Sequence, residues 1–130
     1  MRKLLFFTLY LISTFVHAQI SRKDCTFTKG DKAFPLNGVI YITNDEYQAD
    51  LIIRITKHDY EADLYVFNSS DKRDVNACGY VFVGDRENDP YDKPIKVFIV
   101  PDTSGMRYDF LVYLTTFNGN AGVNWHKYKE

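Results

Sequence analysis

Two stretches of this chain are near-copies of each other and decide its fold. The first reads ITNDEYQADL at residues 42–51, and the second reads ITKHDYEADL at residues 55–64. The copies lie 13 residues apart, and Ile, Thr, Tyr, Ala, Asp and Leu recur at equivalent positions. This period is too short for a helical solenoid and too long for a meander of hairpins, so it predicts repeated units of one strand and one turn.

A β-strand pattern begins at the last residue of each copy and recurs in four further segments. Apolar side chains alternate along these segments, which are rich in β-branched and aromatic residues, as is typical of strands with one buried face. The six predicted strands span residues 39–42, 51–55, 64–67, 80–83, 95–99 and 110–114. The alternation points Ile53, Val66, Val97 and Val112 inward, and Arg54, Lys96 and Tyr113 outward.

The link inside each copy is expected to be a short helical turn. In the first copy, residues 44–49 form one turn, which Asn44 caps and in which the helix dipole favours Asp45 near the start. In the second copy Lys57 stands at the capping position, so His58 or Asp59 has to supply the cap.

An aspartate followed by an apolar residue joins each turn to the next strand. We expect the carboxylates of Asp50 and Asp63 to accept hydrogen bonds from local backbone amides as the chain enters the strand. A looser third junction ends at residue 110. The predicted repeat junctions are Asp50, Leu51, Asp63, Leu64, Asp109 and Phe110.

The size and composition of the chain indicate one folded domain. It has 130 residues, of which 45% are hydrophobic and 16% aromatic, and this is too apolar for a disordered chain. We therefore expect a single small domain, mainly β with short helical turns, built from about six strand–turn repeats. Pro and Gly mark residues 84–94 and 101–106 as looser loops. The pattern does not determine the topology.

The first 18 residues have the features of a secretory signal peptide. Arg2 and Lys3 precede an apolar run, and the run ends in Val16-His17-Ala18, with small residues at the two positions that a signal peptidase reads. The alternative is a membrane anchor, but the run is shorter than the roughly 18–20 apolar residues that span a bilayer. We expect cleavage after Ala18, a secreted or periplasmic domain at residues 19–130, and no stable membrane anchor.

The expected domain contains two cysteines, Cys25 and Cys78. An even pair in an exported protein favours a disulfide. One alternative is two separate buried thiols. Another is a metal site, although two cysteines without a neighbouring histidine make no complete ligand set.

No group of residues in the sequence predicts catalysis, a metal or a cofactor. His58 and His126 have no Cys or Ser beside them in a catalytic pattern. Residues 85–89 place oxygen ligands at alternate positions, as a calcium loop does, but Pro90 stands where the EF-hand needs glycine and the closing Glu is missing. We therefore expect a solvated loop, no metal, no cofactor and no catalytic residue.

The charges and the aromatic residues bear on possible partners. The chain has 16 Lys and Arg against 17 Asp and Glu, so it lacks the basic excess that nucleic-acid binding needs. The aromatic residues of the strands, such as Tyr65, Phe67 and Tyr113, either fill a core and pair across strands or form an exposed face for protein or carbohydrate. The partner itself is not determined by the sequence.

The two YxADL copies, at residues 47–51 and 60–64, resemble the septoil-knot domain family. Members repeat a short strand, an Asp- or Ser-led turn and an Ala-Asp-Leu junction about six times. CGYVFV at residues 78–83 looks like the mid-domain Cys-Gly-aromatic strand of secreted members, and NAGVNW at residues 120–125 looks like a diverged Ala-Gly-Trp ending. The resemblance covers roughly residues 24–125.

This resemblance implies a small β-rich domain whose backbone is threaded as a seven-crossing torus knot, although true knots are rare among proteins. The family brings no established activity, so no catalytic residue transfers. Two functional hypotheses follow from the sequence. The first is a secreted, non-catalytic structural or interaction module, and the alternative is a small exported hydrolase that uses clustered carboxylates.

Overall fold

The structure is a computed structural model that describes residues 19–101 and 104–128. The predicted signal peptide, residues 1–18, lies outside this part of the chain. Within it there are ten strands and three short 3-10 turns, and no helix is long and apolar enough to cross a membrane. The strands are β1 (Gln19–Ser21), β2 (Thr26–Lys29), β3 (Lys32–Pro35), β4 (Gly38–Ile42), β5 (Leu51–Ile55), β6 (Leu64–Asn68), β7 (Tyr80–Val83), β8 (Ile95–Ile99), β9 (Phe110–Leu114) and β10 (Gly122–Val123).

Six of these strands, β4 to β9, form a closed barrel in which every neighbouring pair is parallel. The order around the barrel is β4, β8, β5, β9, β6, β7, and β7 returns to β4. The sequence predicted all six strands, and its bounds differ by one residue at the start of β4 and at the end of β6. The mainly β fold class is therefore confirmed.

The chain passes around the barrel more than once. β4, β5 and β6 take alternate places, and β7, β8 and β9 later fill the three gaps that these strands leave. Each of the barrel's parallel ladders therefore joins strands that are distant in the sequence, except that between β6 and β7. The knot that the family resemblance implies remains a prediction.

The three 3-10 turns span Glu46–Gln48, Asp59–Glu61 and Asn118–Asn120. The prediction that Asn44 caps the first turn is wrong, because Asp45 is the cap residue and its Oδ1 accepts a hydrogen bond from the Tyr47 amide at 3.0 Å. The Thr43 hydroxyl accepts from the Asp45 amide and so starts the turn one residue later.

The second turn begins in the same way. His58 occupies the cap position without a side-chain capping bond, and the Thr56 hydroxyl accepts from the His58 amide at 3.1 Å. Thr115 does the same for the amide of Phe117 before the third turn. This third turn was not predicted from the sequence, because residues 114–123 share little more than a threonine and an alanine with the two repeat copies.

A small antiparallel sheet, β1 to β3, covers the barrel at the end where its strands begin. Phe27 of β2 is fully buried, and its ring centroid lies 4.9 Å from that of Phe110, the first residue of β9. Ile20 and Leu36 are buried with it in the same core. These three strands were not predicted from the sequence, because their segments QIS, TFTK and KAFP contain too few apolar residues to show alternation.

A disulfide between Cys25 and Cys78 fastens this small sheet to the barrel. The two Cα atoms are 5.8 Å apart, and Cys78 lies two residues before β7. The Cys25 carbonyl also accepts a hydrogen bond from the Leu36 amide at 3.0 Å. The predicted disulfide is confirmed, and the alternative of two separate thiols is excluded.

The predicted strand register gives a test that compares an inward with an outward side chain. Val66 is buried and lines the barrel interior, so Val66→Ala should lower the free energy of unfolding by about 1–3 kcal/mol. Lys96 points outward and pairs with Glu87 at 3.5 Å near the surface, so Lys96→Ala should change it by no more than roughly 0.5 kcal/mol. Urea unfolding followed by circular dichroism measures both, and the reverse order of effects would contradict this register.

Candidate functional site

The three junction aspartates share one geometry at the starts of β5, β6 and β9. Each backbone amide donates to the carbonyl of a residue in the neighbouring parallel strand, and each carboxylate accepts from the amide of that same residue. The pairs are Asp50 with Lys96, Asp63 with Leu111 and Asp109 with Ile52, at distances of 2.6 to 2.9 Å. Each aspartate thus closes a two-bond ring that extends the parallel ladder by one residue.

This geometry corrects the prediction that Asp50 and Asp63 bind local backbone amides. Their amide partners are 46 and 48 residues away in the sequence. The reason is the barrel order, because the strand beside each junction belongs to the second pass of the chain. The junctions therefore fix one pass of the chain against the other, and they do not act on their own turns.

Asp63 has the most partners of the three. Its Oδ1 accepts from the Tyr128 hydroxyl at 2.8 Å and lies 2.7 Å from Lys127 Nζ. Burial, followed by this hydrogen bond and the negative charge of Asp63, raises the pKa of Tyr128 well above its ordinary value, so the phenol stays a donor. Asn124 is buried beside it and donates to the Ala62 carbonyl at 2.9 Å. Asp63 therefore anchors the C-terminal segment to the barrel.

Asp109 also contacts the small sheet. Lys29 of β2 donates from Nζ to Asp109 Oδ2 at 3.0 Å and to the Asp50 carbonyl at 3.4 Å. This contact joins the sheet to the starts of β5 and β9. No sequence pattern marks Lys29, Lys127 or Tyr128, because their side-chain partners are distant in the sequence. The separation is 64 to 66 residues for Lys127 and Tyr128, and up to 80 for Lys29.

The partners of the junctions predict a difference in stability among three Asp→Asn variants. Asp63→Asn removes a buried charge that has several donors around it and should lower the free energy of unfolding by about 1–2 kcal/mol. Asp50→Asn should cost somewhat less, because the Asp50 carboxylate is more exposed and accepts from the Lys96 amide. Asp74→Asn, at an exposed position, is the control and should stay within roughly 0.5 kcal/mol. Thermal unfolding of the three variants checks this ranking, and equal behaviour of Asp63→Asn and Asp74→Asn would contradict it.

An aromatic groove lies on the outer side of the barrel, and we define it by Tyr65, Tyr113, Asn120, Trp125 and His126. Tyr65 and Tyr113 face each other across β6 and β9, edge to face, with ring centroids 6.1 Å apart. The Trp125 ring stacks on His126 at 3.6 Å, and half of the Trp125 surface is exposed. The groove has a volume of about 450 Å³. It combines apolar ring faces with amide and imidazole groups.

Both readings of the strand aromatics are thus represented. Phe67 and Tyr80 are direct cross-strand partners with ring centroids 5.4 Å apart, as the pairing hypothesis expects. In the groove, the Tyr65 hydroxyl donates to the Asp59 carbonyl at 2.9 Å, and burial together with the charge of Asp59 raises the pKa of Tyr65. That phenol is therefore held in place and protonated.

The remaining candidate residues are held by neighbours within the chain. The ring of His58 lies 5.4 Å from that of Tyr60 in the second turn. In the loop that resembles a calcium site, Asp89 accepts from the amides of Tyr91 and Asp92, and these hydrogen bonds lower the pKa of Asp89. Among the residues that the structure describes, no three His, Cys, Asp or Glu side chains are grouped so that they could hold a metal ion.

Comparison with known proteins places the fold in a family. No curated protein and no solved structure matches the chain. The family model of the 7(1) septoil knot domain matches residues 35–124, which include the barrel, the junction aspartates and β10. The match begins at Pro35, so β1, β2 and Cys25 precede it, and it starts later than the resemblance drawn from the sequence. The chain belongs to the septoil knot domain family.

Proposed function

We propose that this protein is an exported, non-catalytic interaction module that binds carbohydrate in the aromatic groove. The groove is the observation that carries the proposal. The C–H faces of a sugar ring pack on aromatic rings such as those of Tyr113 and Trp125, while its hydroxyls need donors and acceptors such as Asn120 and His126. Half of the Trp125 surface is exposed, so a sugar can reach this ring from solvent.

Two further features support a non-catalytic role. Each junction carboxylate, Asp50, Asp63 and Asp109, already accepts at least one backbone amide in a ladder position. Such a carboxylate has a structural task that a general acid or nucleophile does not need. The septoil knot family also brings no established activity that would assign them a reaction. The exported location has separate support, because a disulfide persists in oxidising compartments outside the cytosol.

Tryptophan fluorescence tests the binding site, because Trp125 is the one tryptophan of the chain. Titration with soluble chitotetraose and cellotetraose should give a saturable change in emission for at least one of the two. Tyr113→Ala should weaken that binding about tenfold, since aromatic contacts dominate such sites. Tyr91→Ala is the matched control, because Tyr91 is highly exposed in the loop between β7 and β8 and should bind as the parent does. Absence of saturation with both sugars, or an equal effect of the two variants, would overturn the proposal.

Export has a separate expected result. Expressed in its source, the protein should leave the cytoplasm with Gln19 as its first residue, because the signal-peptidase site ends at Ala18. Edman sequencing or intact-mass measurement of the exported fraction determines this. Recovery of membrane-bound protein that retains Met1 would contradict it.

The hydrolase hypothesis predicts a different effect when the junction aspartates are substituted. If it were right, Asp50→Asn or Asp63→Asn would abolish turnover of an oligosaccharide while the melting temperature stayed unchanged. Under our proposal both variants lower the melting temperature, and Asp50→Asn leaves the affinity for the sugar unchanged, because Asp50 neither lines the groove nor anchors the segment that carries Trp125. Measuring both quantities on each variant therefore separates the two hypotheses.

A further inference from the structure

The interior of the barrel contains a cavity of about 260 Å³. The barrel strands contribute mostly isoleucine, leucine and valine to its wall. Inward-facing side chains such as Ile40, Ile53 and Ile99 are only partly buried, although small barrels of this kind usually fill their interiors with side chains. The cavity and this incomplete burial indicate that the core leaves room for a guest.

The cavity is closed at one end of the barrel and open at the other. Where the strands begin, Leu36 and Phe110 are buried and Phe27 packs behind them. Where β7 and β9 end, the lining residues Val83 and Leu114 are 42% and 53% exposed. Since all strand ends of a parallel barrel lie on one side, these residues form a single mouth.

The polarity of the wall changes from the closed end to the mouth. No charged side chain lines the cavity, and its polar lining side chains are those of Asn37, Asn68 and Thr115. The Asn37 amide donates to the Val75 carbonyl at 2.6 Å, so it is already engaged. At the mouth, Asn68 ends β6 and Thr115 follows β9, and the Thr115 hydroxyl also accepts from the Phe117 amide. The wall is therefore apolar inside and carries neutral hydrogen-bonding groups at its opening.

We propose that the barrel binds the alkyl chain of a single-chain amphiphile, with the chain inside the cavity and the polar head at the mouth. An apolar cavity of 150 Å³ is known to accept benzene or xenon and to exclude water, which needs two to four polar partners. The larger cavity here is lined in the same way and opens at one end, beside Val83 and Leu114. A flexible, narrow hydrocarbon chain fits this opening, whereas a folded protein surface does not enter it. This site lies inside the barrel and the aromatic groove lies outside it, and Thr115 lines both.

A homologous series of alcohols tests the proposal directly. The protein, as isolated from the cells that express it, is titrated by calorimetry with 1-hexanol, 1-octanol, 1-decanol and 1-dodecanol. Each alcohol is kept below its solubility limit in water. Because each methylene buried contributes about 0.8 kcal/mol, the affinity should rise about fourfold per methylene until the cavity is full and then level off. The melting temperature should rise in the same order. Decanoate in place of 1-decanol distinguishes a charged head from a neutral one, and tight binding of either supports the site.

Two variants of β9 locate the binding. Leu114→Trp fills the mouth at a half-exposed position that should tolerate the change, and it should weaken 1-decanol binding at least tenfold. Leu111→Trp places the same residue on the outer face of the same strand and should bind as the parent does. Tyr113→Ala should also retain 1-decanol binding, which separates this site from the groove. An affinity independent of chain length, or equal binding by Leu114→Trp and Leu111→Trp, would overturn the proposal.

Discussion

Gly79→Ala is expected to destabilise the domain by about 2–5 kcal/mol. Gly79 has φ +83°, a conformation that costs a residue with a side chain about 1–2 kcal/mol. An added Cβ would also collide with the Tyr65 carbonyl oxygen and lie 2.6 Å from the Gly122 amide nitrogen. These are backbone atoms of paired strands that cannot move aside singly, so overpacking adds about 1–3 kcal/mol.

Gly30→Ala is the matched control for this experiment. Gly30 has φ +65° in the link between β2 and β3, and nothing lies within 4 Å of a Cβ built there. Gly30→Ala therefore carries only the conformational cost of about 1–2 kcal/mol. Urea unfolding of both variants separates strain from collision. If both variants lost the same free energy of unfolding, the close packing of Gly79 against β6 and β10 would be contradicted.

Loss of the disulfide is expected to be the second large effect. The bond closes a separation of 53 residues, which in the chain-entropy model corresponds to about 4 kcal/mol. The double variant Cys25→Ala/Cys78→Ala should therefore lose about 2–5 kcal/mol, and its melting temperature should fall by about 10 °C or more. Differential scanning calorimetry of the parent and the double variant measures the change.

Reductant supplies the internal control. The parent protein should approach the melting temperature of the double variant when a thiol reductant is added, while the double variant should not respond. Two freely alkylatable thiols in the native parent would contradict the bond. So would a double variant as stable as the parent, which would show that the small sheet stays on the barrel through Phe27 and Lys29 alone.

The barrel strands were predictable because their signal is local. Alternation along residues 51–55 and 110–114 needs only the chemical nature of successive side chains, and it placed Ile53 and Val112 on the inner face, where they line the cavity. The short strands β1 to β3 and β10 carry no such signal. They form because Phe27, Leu36 and Asn124 find buried partners far along the chain.

The junctions show the same division within single residues. The repeat identified Asp50 and Asp63 as equivalent, and the choice of aspartate as a backbone acceptor was also evident from the sequence. Their actual partners, Lys96 and Leu111, were not evident from the sequence. A local turn offers the nearest backbone amides, and nothing in the sequence around Asp50 or Asp63 shows which later strand will lie beside them.

By itself, the sequence determined the mainly β class, six strands with their inward faces, the repeat junctions, the cysteine pair and the resemblance to the septoil knot family. These depend on residue type and short-range periodicity. Only the tertiary structure decided the parallel order of the strands, the hydrogen bonds of the junction aspartates between the two passes of the chain, the covering sheet, the aromatic groove and the open cavity. Each of these arises where side chains or backbone groups from distant segments meet, and strand pairing energies are too similar among apolar segments for a pattern in one segment to select its neighbour.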